Sequence, residues 1–483
     1  MKFYITTPIY YVNDVPHLGH AYTTIAADVL ARYYRKKLGE DKVFFLTGTD
    51  EHGLKIMQAA EKAGKEPKEF VDGIVKRFKS AWQILNISND NFIRTTDQSH
   101  EEAVKEVLQK LYDEGLIYKG SYQALYCVGC EQYKMKSELV DGRCPEHATA
   151  PKLRLEECYL FKISSFRDEI LRSIQSDKLK IEPVERKNEI ISFLKREKLQ
   201  DLAVSRQKEK VFWGIELPFD KTHTTYVWVD AFLNYLTGLG WSKGNNFQKF
   251  WPPDVQLMAK DILRVHATIW PALLLSLKIK ELPKKFFIHG YFTVGGKKMS
   301  KTLGNVLEPI KLSKKFGADA VRYSILREFP FGEDGDISEE KINNRYEKDL
   351  GNDLGNLLQR TLVMVNKYNI KIEKMPKIPW TILGVDPKYI KAKAERQVEE
   401  LKFDQALVTI WAPVHIANRY IDKSKPWELA KTDKKKLTEI VQLVYETLYL
   451  IAVLLEPFMP ETSEKIKEQL KTLKPKPLFP RLK

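Results

Sequence analysis

The spacing of apolar positions changes along this chain, and the changes mark out its organisation. Phe3 to Thr7 is β-prone and runs into a loop rich in Pro, Asn and Asp. In the following HLGHAYTTIAADVLARYYRKKLG, the apolar residues Ile25, Val29 and Tyr33 recur at helical spacing, and Gly39 supplies a stop. Lys42 to Thr47 (KVFFLT) is then an almost unbroken apolar run, as expected of a strand buried on both faces of a parallel sheet. Strand, helix, strand predicts a right-handed βαβ unit whose ligands gather at the carboxyl ends of the strands. The HLGH loop and the residues after KVFFLT are thereby expected beside one site.

From about Ile117 the rhythm gives way to a cysteine-bearing stretch and then to charged helical sequence, which reads as an insertion. Strand-like runs return at Thr225 to Val229 (TYVWV), Gln256 to Met258 and Phe286 to His289. Beyond Ser338 the periodicity is almost wholly helical, with Ser338 as an N-cap and Glu339 and Glu340 suiting the first turn. Five segments follow: 1–116 and 225–290 as two halves of a Rossmann-like α/β domain, 117–224 as the insertion between them, 291–345 as a lysine-bearing loop and linking region, and 346–483 as an α-helical bundle with a Lys/Pro-rich tail.

Composition narrows the class. With 43% hydrophobic and 30% charged residues over 483, neither disorder nor a membrane protein fits, and the apolar stretch Ile440 to Leu455 reads as a buried helix because Gln442 and Glu446 interrupt it. Seventy-nine basic against 64 acidic residues give a net charge of +15, compatible with a polyanionic partner or with a lysine-coated surface. The start, MKFYITTPIYYVND, has no apolar leader segment, so a cytoplasmic location is expected.

Cys127 and Cys130 (CVGC) precede Cys144 and His147 (CPEH), two tight pairs at the spacing of a closed tetrahedral zinc knuckle. Four protein ligands leave no open position, so one structural Zn2+ is expected. Cys158, in the apolar run CYLF, reads as a core residue.

His17 and His20 flank Gly19 where a loop enters a helix, whose amino end adds free N–H groups and a positive dipole. Taken alone, two histidines so spaced equally suit metal ligands or a polar surface. KKMSKT, Lys297 to Thr302, follows Gly295 and Gly296, and taken alone it equally suits a solvated loop. The two together, in this order, resemble the HIGH and KMSKS signatures of class I aminoacyl-tRNA synthetases, with Leu18 for Ile and Thr302 for the last Ser. The resemblance implies that His17, Gly19 and His20 hold ATP and stabilise the transition state, and that Lys298, Ser300 and Lys301 bind the triphosphate, with Mg2+ accompanying ATP. Attack of a carboxylate on the α-phosphate builds charge on phosphate oxygens, which positioned cations and N–H groups stabilise without a nucleophilic side chain.

Within that family PIYYVND, TGTDEHG, YVWVDAFLNY and KDILRVHATIWPA resemble the methionine-activating members, over about residues 3 to 460. The resemblance implies an L-methionine site of Ile9, Tyr11, Asp50, Trp228, Ala231, Tyr235, Ile262, His266 and Trp270, with Phe232 where some members have proline. Aromatic faces suit a polarisable thioether, and a carboxylate suits the substrate ammonium. In NDLGNLLQRTL, Asn356 and Arg360 fall on one helix face, and KPWEL puts Trp427 at a helix start. The resemblance assigns these three to the CAU anticodon of tRNA(Met), the initiator included; an amide, a guanidinium and an indole suit splayed bases. No membrane partner is expected, and the chain is expected to be monomeric or to rely on a separate tRNA-binding, dimerising subunit. The segment 117–224 is too short for the editing domain of the leucine, isoleucine and valine relatives. The alternatives are another class I aminoacyl-tRNA synthetase, and a zinc-knuckle RNA-binding protein that kept the fold without the catalysis.

Overall fold

The computed structural model describes every residue except 129–131, 135–138, 146–147, 242–243, 300–304, 374–385 and 483. The chain divides into two compact units. The first comprises Met1–Pro16, Lys37–Ser80 and Ser88–His289; the second comprises His17–Lys36, Ala81–Ile87 and Gly290–Lys483.

The first unit is built on strand β1 (Phe3–Tyr11), which is followed in sequence by helix α1 (Leu18–Leu38) of the second unit. Its other elements are β2 (Val43–Asp50), β3 (Asn91–Arg94), α2 (Gln98–Asp113), β4 (Ile117–Cys127), β5 (Lys152–Phe161), β6 (Lys180–Glu182), α3 (Val227–Thr237), β7 (Val255–Ala259), α4 (Leu263–Ser276) and β8 (Lys285–His289). Six strands form one parallel sheet in the order β3-β2-β1-β7-β8-β6. The strand order reverses between β1 and β7, and in such sheets that crevice takes the ligand. Every residue of β2 is buried, as its unbroken apolar run requires. Tyr4, Phe44, Leu46, Ile93, Met258, Phe286 and Ile288 from the strands share one core with Val104, Leu108, Leu233, Leu236, Trp270 and Leu273 from the helices.

Two expectations are corrected. The run Thr225 to Val229 is not a strand: a short antiparallel pair of His223–Thr225 with Ser205–Gln207 ends there, and Val227 opens α3. Nine of the eleven residues of α3 are buried, so it is apolar all round and carries no amphipathic stripe to betray its period. Lys180–Glu182, inside the stretch read as an insertion, pairs in parallel with Lys285–Phe287 and forms the sheet's edge. The remaining inserted strands make an antiparallel sheet in which β4 and β5 pair from Ile117↔Phe161 to Tyr126↔Lys152.

The second unit holds α1, a three-stranded sheet of β9 (Phe292–Val294), β10 (Lys297–Lys298) and β11 (Gly335–Asp336), and helices that include α5 (Ala318–Arg327), α6 (Asn356–Lys367), α7 (Phe403–Ser424), α8 (Pro426–Thr432), α9 (Lys434–Leu455) and α10 (Pro460–Thr472). Ser338 caps the helix Glu339–Arg345 by accepting from the Lys341 N–H. A π-helical stretch, Tyr346–Gly355, leads directly into α6. By length and composition α9 could cross a membrane, but its apolar face, Leu437, Ile440, Val441, Val444, Leu448 and Ile451 among others, is packed inside.

Arg322 of α5 is fully buried and holds this unit together. Its guanidinium donates to the carbonyls of Phe458 (2.8 Å), Pro457 (2.9 Å) and Leu85 (3.1 Å), and pairs with Asp28 of α1 at 2.7 Å. A buried charge is stable only when its donors are met in this way, and removing one partner typically costs about 3 to 5 kcal/mol. The helix that begins with HLGH is thereby anchored to the α9–α10 turn.

Candidate active site and tRNA-reading residues

The expected amino-acid site lies wholly in the first unit. Across the carboxyl ends of β1 and β2, Ile9 pairs with Gly48 and Tyr11 with Asp50, after an irregularity between Thr6 and Ile9. Gly48 is obligatory, because a Cβ there would meet the Ile93 carbonyl oxygen at 2.1 Å. Tyr11 donates its hydroxyl to the His52 carbonyl at 2.9 Å, which fixes its ring beside the strand ends. From α3 come Trp228, Ala231 and Tyr235, and from the start of α4 come Ile262, His266 and Trp270.

These side chains divide by depth. Trp270, Tyr235, His266, Ala231 and Asp50 are buried, whereas Ile9, Tyr11, Trp228 and Ile262 are half-buried. Phe232 lies between the two tryptophans: its ring stacks on Trp228 at 5.8 Å and on Trp270 at 6.2 Å. The position where some relatives have proline is thus part of the aromatic wall.

His266 has a defined tautomer. Its Nδ1–H donates to the Ile262 carbonyl at 2.8 Å, leaving Nε2 to accept from the Tyr235 hydroxyl at 2.9 Å. Burial lowers its pKa to about 4, so the imidazole is neutral at physiological pH. Trp270 is held by its Nε1–H on Gln256 Oε1 (3.0 Å), and Gln256 in turn donates to Thr6 (3.1 Å).

Behind Asp50 stands a polar network that sequence reasoning missed. Glu51, fully buried, accepts from Arg94 on both oxygens (2.7 Å each), from Thr49 (2.6 Å) and from Thr96 (2.6 Å). Its backbone N–H reaches Thr95 and its carbonyl accepts from the Trp213 indole. His52 Nδ1 lies 2.7 Å from one oxygen of Asp230, and His100 Nε2 lies 2.8 Å from the other. Burial works against the charge on His52, but the Asp230 carboxylate outweighs it and raises the imidazole pKa; burial likewise opposes charge on Asp230, yet the two histidines hold its pKa down. One signal was available: an aspartate inside the apolar run VWVDAFLNYL must have partners. Arg206, also buried, stacks on Tyr226 at 4.1 Å.

The phosphate-binding candidates lie in the second unit. His17 precedes the first turn of α1, and its Nδ1 accepts from the Gly19 N–H at 3.0 Å while its own N–H donates to His20 Nδ1 at 3.2 Å. This is a reciprocal capping box made with imidazoles. The rings stack 3.7 Å apart, and a Cβ on Gly19 would meet the His17 ring at 2.9 Å, so glycine is needed for the ring to fold over the helix start. Burial, and then His17, keep the His20 pKa well below its ordinary value. With Nδ1 of each imidazole accepting, Nε2 of each is left as a donor.

The hairpin β9–β10 turns through Gly295 (φ 60°) and Gly296 (φ 71°), the pair of positive φ values that a type I′ turn requires. Asp336 of β11 accepts from the Gly296 N–H (2.8 Å) and the Thr293 hydroxyl (2.9 Å), so the turn that launches KMSKT is fixed. Ser300 and Lys301, with the side chain of Lys298, lie outside the described residues.

Among the expected metal ligands, Cys127 ends β4 and Cys144 sits in a tight loop, where its carbonyl accepts from the Ala148 N–H (2.8 Å) and its N–H donates to Thr149 (2.8 Å). Both thiols are buried, as soft ligands of a closed site must be. Cys130 and His147 lie outside the described residues, and among the described ones no cluster of three or more ligand-type side chains is placed to hold a metal.

In the helical region Asn356 is exposed on the first turn of α6, and Arg360, four residues on, pairs with Asp422 of α7 at 2.7 Å. Trp427 is the second residue of α8 and is 47% exposed, an unusual place for an indole unless it has a surface to meet.

Comparison with known proteins shows the family. A family model described as tRNA synthetases class I (M) matches residues 3–158 and 147–362, and one for the anticodon binding domain of methionyl tRNA ligase matches 384–480. Relatives include the methionine–tRNA ligases of Caldanaerobacter subterraneus subsp. tengcongensis, 46% identical over 97% of this chain and 74% of that one, and of Streptomyces coelicolor, 42% identical over 97% and 89%. Mycobacterium tuberculosis methionyl-tRNA synthetase, solved in complex with methionyl-adenylate, superposes with a TM-score of 0.91 at 37% identity, covering both chains fully. From its signature loops, its parallel sheet and these relatives, the chain belongs to the class I tRNA synthetases of the methionine type.

Proposed function

We propose that this chain is a methionine–tRNA ligase, which activates L-methionine with ATP and transfers it to the 3′ end of tRNA(Met), the initiator included. The arrangement that supports this reading, taken here as the amino-acid slot, is Asp50 at the carboxyl end of β2 together with the aromatic wall of Trp228, Phe232 and Trp270 and a neutral His266 hydrogen-bonded to Tyr235. A thioether side chain gains contact with ring faces and edges, and the ammonium pairs with the carboxylate. The neutral His266 adds no second positive charge to repel that ammonium.

In the first step a methionine carboxylate oxygen attacks the α-phosphorus, the bond from that phosphorus to the bridging oxygen breaks, and pyrophosphate leaves with the electron pair. The Nε2–H donors of His17 and His20 and the cations Lys298 and Lys301, with the Ser300 hydroxyl, stabilise the charge that builds on the phosphate oxygens. Mg2+ accompanying ATP would supply further charge neutralisation of the polyphosphate. In the second step the terminal ribose hydroxyl of tRNA attacks the activated carbonyl and AMP departs. Asn356, Arg360 and Trp427 would read the CAU anticodon by edge hydrogen bonds and stacking.

Cys127, Cys130, Cys144 and His147 would hold one Zn2+, which supplies a folding crosslink for the inserted segment and takes no part in the chemistry. A cytoplasmic location is a further part of this reading, as is either a monomeric state or a separate tRNA-binding, dimerising subunit. The test is charging: the purified chain, given ATP, Mg2+, radiolabelled methionine and tRNA bearing CAU, should form methionyl-tRNA. Failure to charge that tRNA, with the protein folded, would overturn the reading.

A further inference from the structure

Asp230 stands within the pocket helix, two residues after Trp228 and one before Ala231, yet its carboxylate is fully buried on the side of the network behind the slot. Each oxygen engages a different element. Oδ2 is 2.7 Å from His52 Nδ1 in the loop after β2, and Oδ1 is 2.8 Å from His100 Nε2 on α2. His100 Nδ1 returns to α3 through Thr237 Oγ1 at 2.7 Å, and His52 Nε2 faces Glu101 of α2 at 3.7 Å. The carbonyl of His52 accepts from the Tyr11 hydroxyl, and Gly53 N–H donates to the Trp213 carbonyl. A single carboxylate therefore joins the segment Asp50–His52, the helix that lines the slot, and α2.

We infer that Asp230 is a positioning residue for amino-acid recognition: its bridge between His52 and His100 sets the distance between the Asp50 carboxylate and the aromatic wall of α3, and with it the fit of the amino acid. The reason is geometric. Asp50 and the α3 rings belong to elements far apart in sequence, and a substrate gripped at its ammonium by one and at its side chain by the other is sensitive to their spacing. A shift of a fraction of an ångström at such a site weakens both grips together. The inference rests on the reading of this slot as the methionine site.

The experiment measures ATP–pyrophosphate exchange with the full chain carrying Asp230→Asn, His52→Gln, both together, or Asp50→Asn, with thermal melts run alongside. Asp230→Asn keeps the shape and removes the charge that holds both imidazoles. The expected result is a rise in KM for methionine of roughly tenfold, with KM for ATP unchanged, and a double variant no worse than the weaker single because both act through one bridge. A role confined to folding would lower kcat and the melting temperature without moving KM for methionine, and that result overturns the inference. So do effects of Asp230→Asn and His52→Gln that multiply. If Asp230→Asn does not fold, His52→Gln decides alone, an unchanged KM for methionine being the overturning outcome. Asp50→Asn separates the two levels: an unchanged KM there overturns the site and the bridge together, whereas a raised KM there with none in Asp230→Asn overturns the bridge alone.

Discussion

Asp50 and His266 show how much chemistry single side chains contribute here. Asp50 ends β2 beside Tyr11 and is buried, so an ammonium paired with it gives up its water for one carboxylate. Asp50→Ala should therefore cost about 2 to 5 kcal/mol of substrate binding, a loss of roughly thirtyfold to a few thousandfold in kcat/KM for methionine activation. Wild-type exchange in that variant would remove Asp50 from the site. For His266 the sign runs the other way from an ion pair. Its folded pKa, about 4, lies below the ordinary value of 6.5, so its contribution to stability is complete above pH 6.5 and is lost as pH falls towards 4. The difference amounts to about 3 kcal/mol, and His266→Gln should abolish that part of the acid sensitivity of the melting temperature. An acid slope equal to that of the wild type would mean that burial does not lower the imidazole pKa in the folded protein.

At the scale of elements, the sequence pattern was informative where an apolar run or a helical period stands between clear breaks, and uninformative where strand-favouring residues fill a buried helix. β2 was legible because an apolar run bounded by Gly48 fits a strand buried on both sides, and α1 because a loop with Pro, Asn and Asp gives way to a four-residue period. α3 was misread because its aromatic and β-branched residues favour strands while its burial on all sides erases the helical stripe. The edge strand Lys180–Glu182 is three residues long, too short for any period. The candidate slot residues come from resemblance to a family, not from pattern, and the bridge of His52, Asp230 and His100 escapes the sequence because its members are separated by 130 and 178 residues. The inserted element carries its own test. Cys144→Ser should release one Zn2+ per chain, measured by metal analysis, and expose the insertion to protease, since metal binding and folding of such small modules are one equilibrium. Retention of a full equivalent of zinc would show that the ligand set is wrong.

At the scale of the whole molecule, the candidate amino-acid site belongs to the first unit, while the HLGH helix and the candidate base-reading residues belong to the second, where Arg322 anchors that helix to the α9–α10 turn. Trp427→Ala should leave pyrophosphate exchange normal, because the indole is exposed on the first turn of α8. Charging of tRNA should fall by roughly ten- to a hundredfold in kcat/KM, as loss of a stacking platform typically costs about 1 to 3 kcal/mol per base. The loss should also depend on the anticodon: tRNAs altered away from CAU should be discriminated less by the variant than by the wild type. Equal losses in exchange and charging would make Trp427 a packing residue.

Whether the slot beside Asp50 selects methionine for activation is decided by ATP–pyrophosphate exchange with the unmodified chain and each of the twenty amino acids in turn. Methionine should give the highest kcat/KM, with the branched aliphatic amino acids far below it because they offer no thioether to the wall of Trp228, Phe232 and Trp270. Exchange driven better by another amino acid, or none with any of them from folded protein, would contradict it.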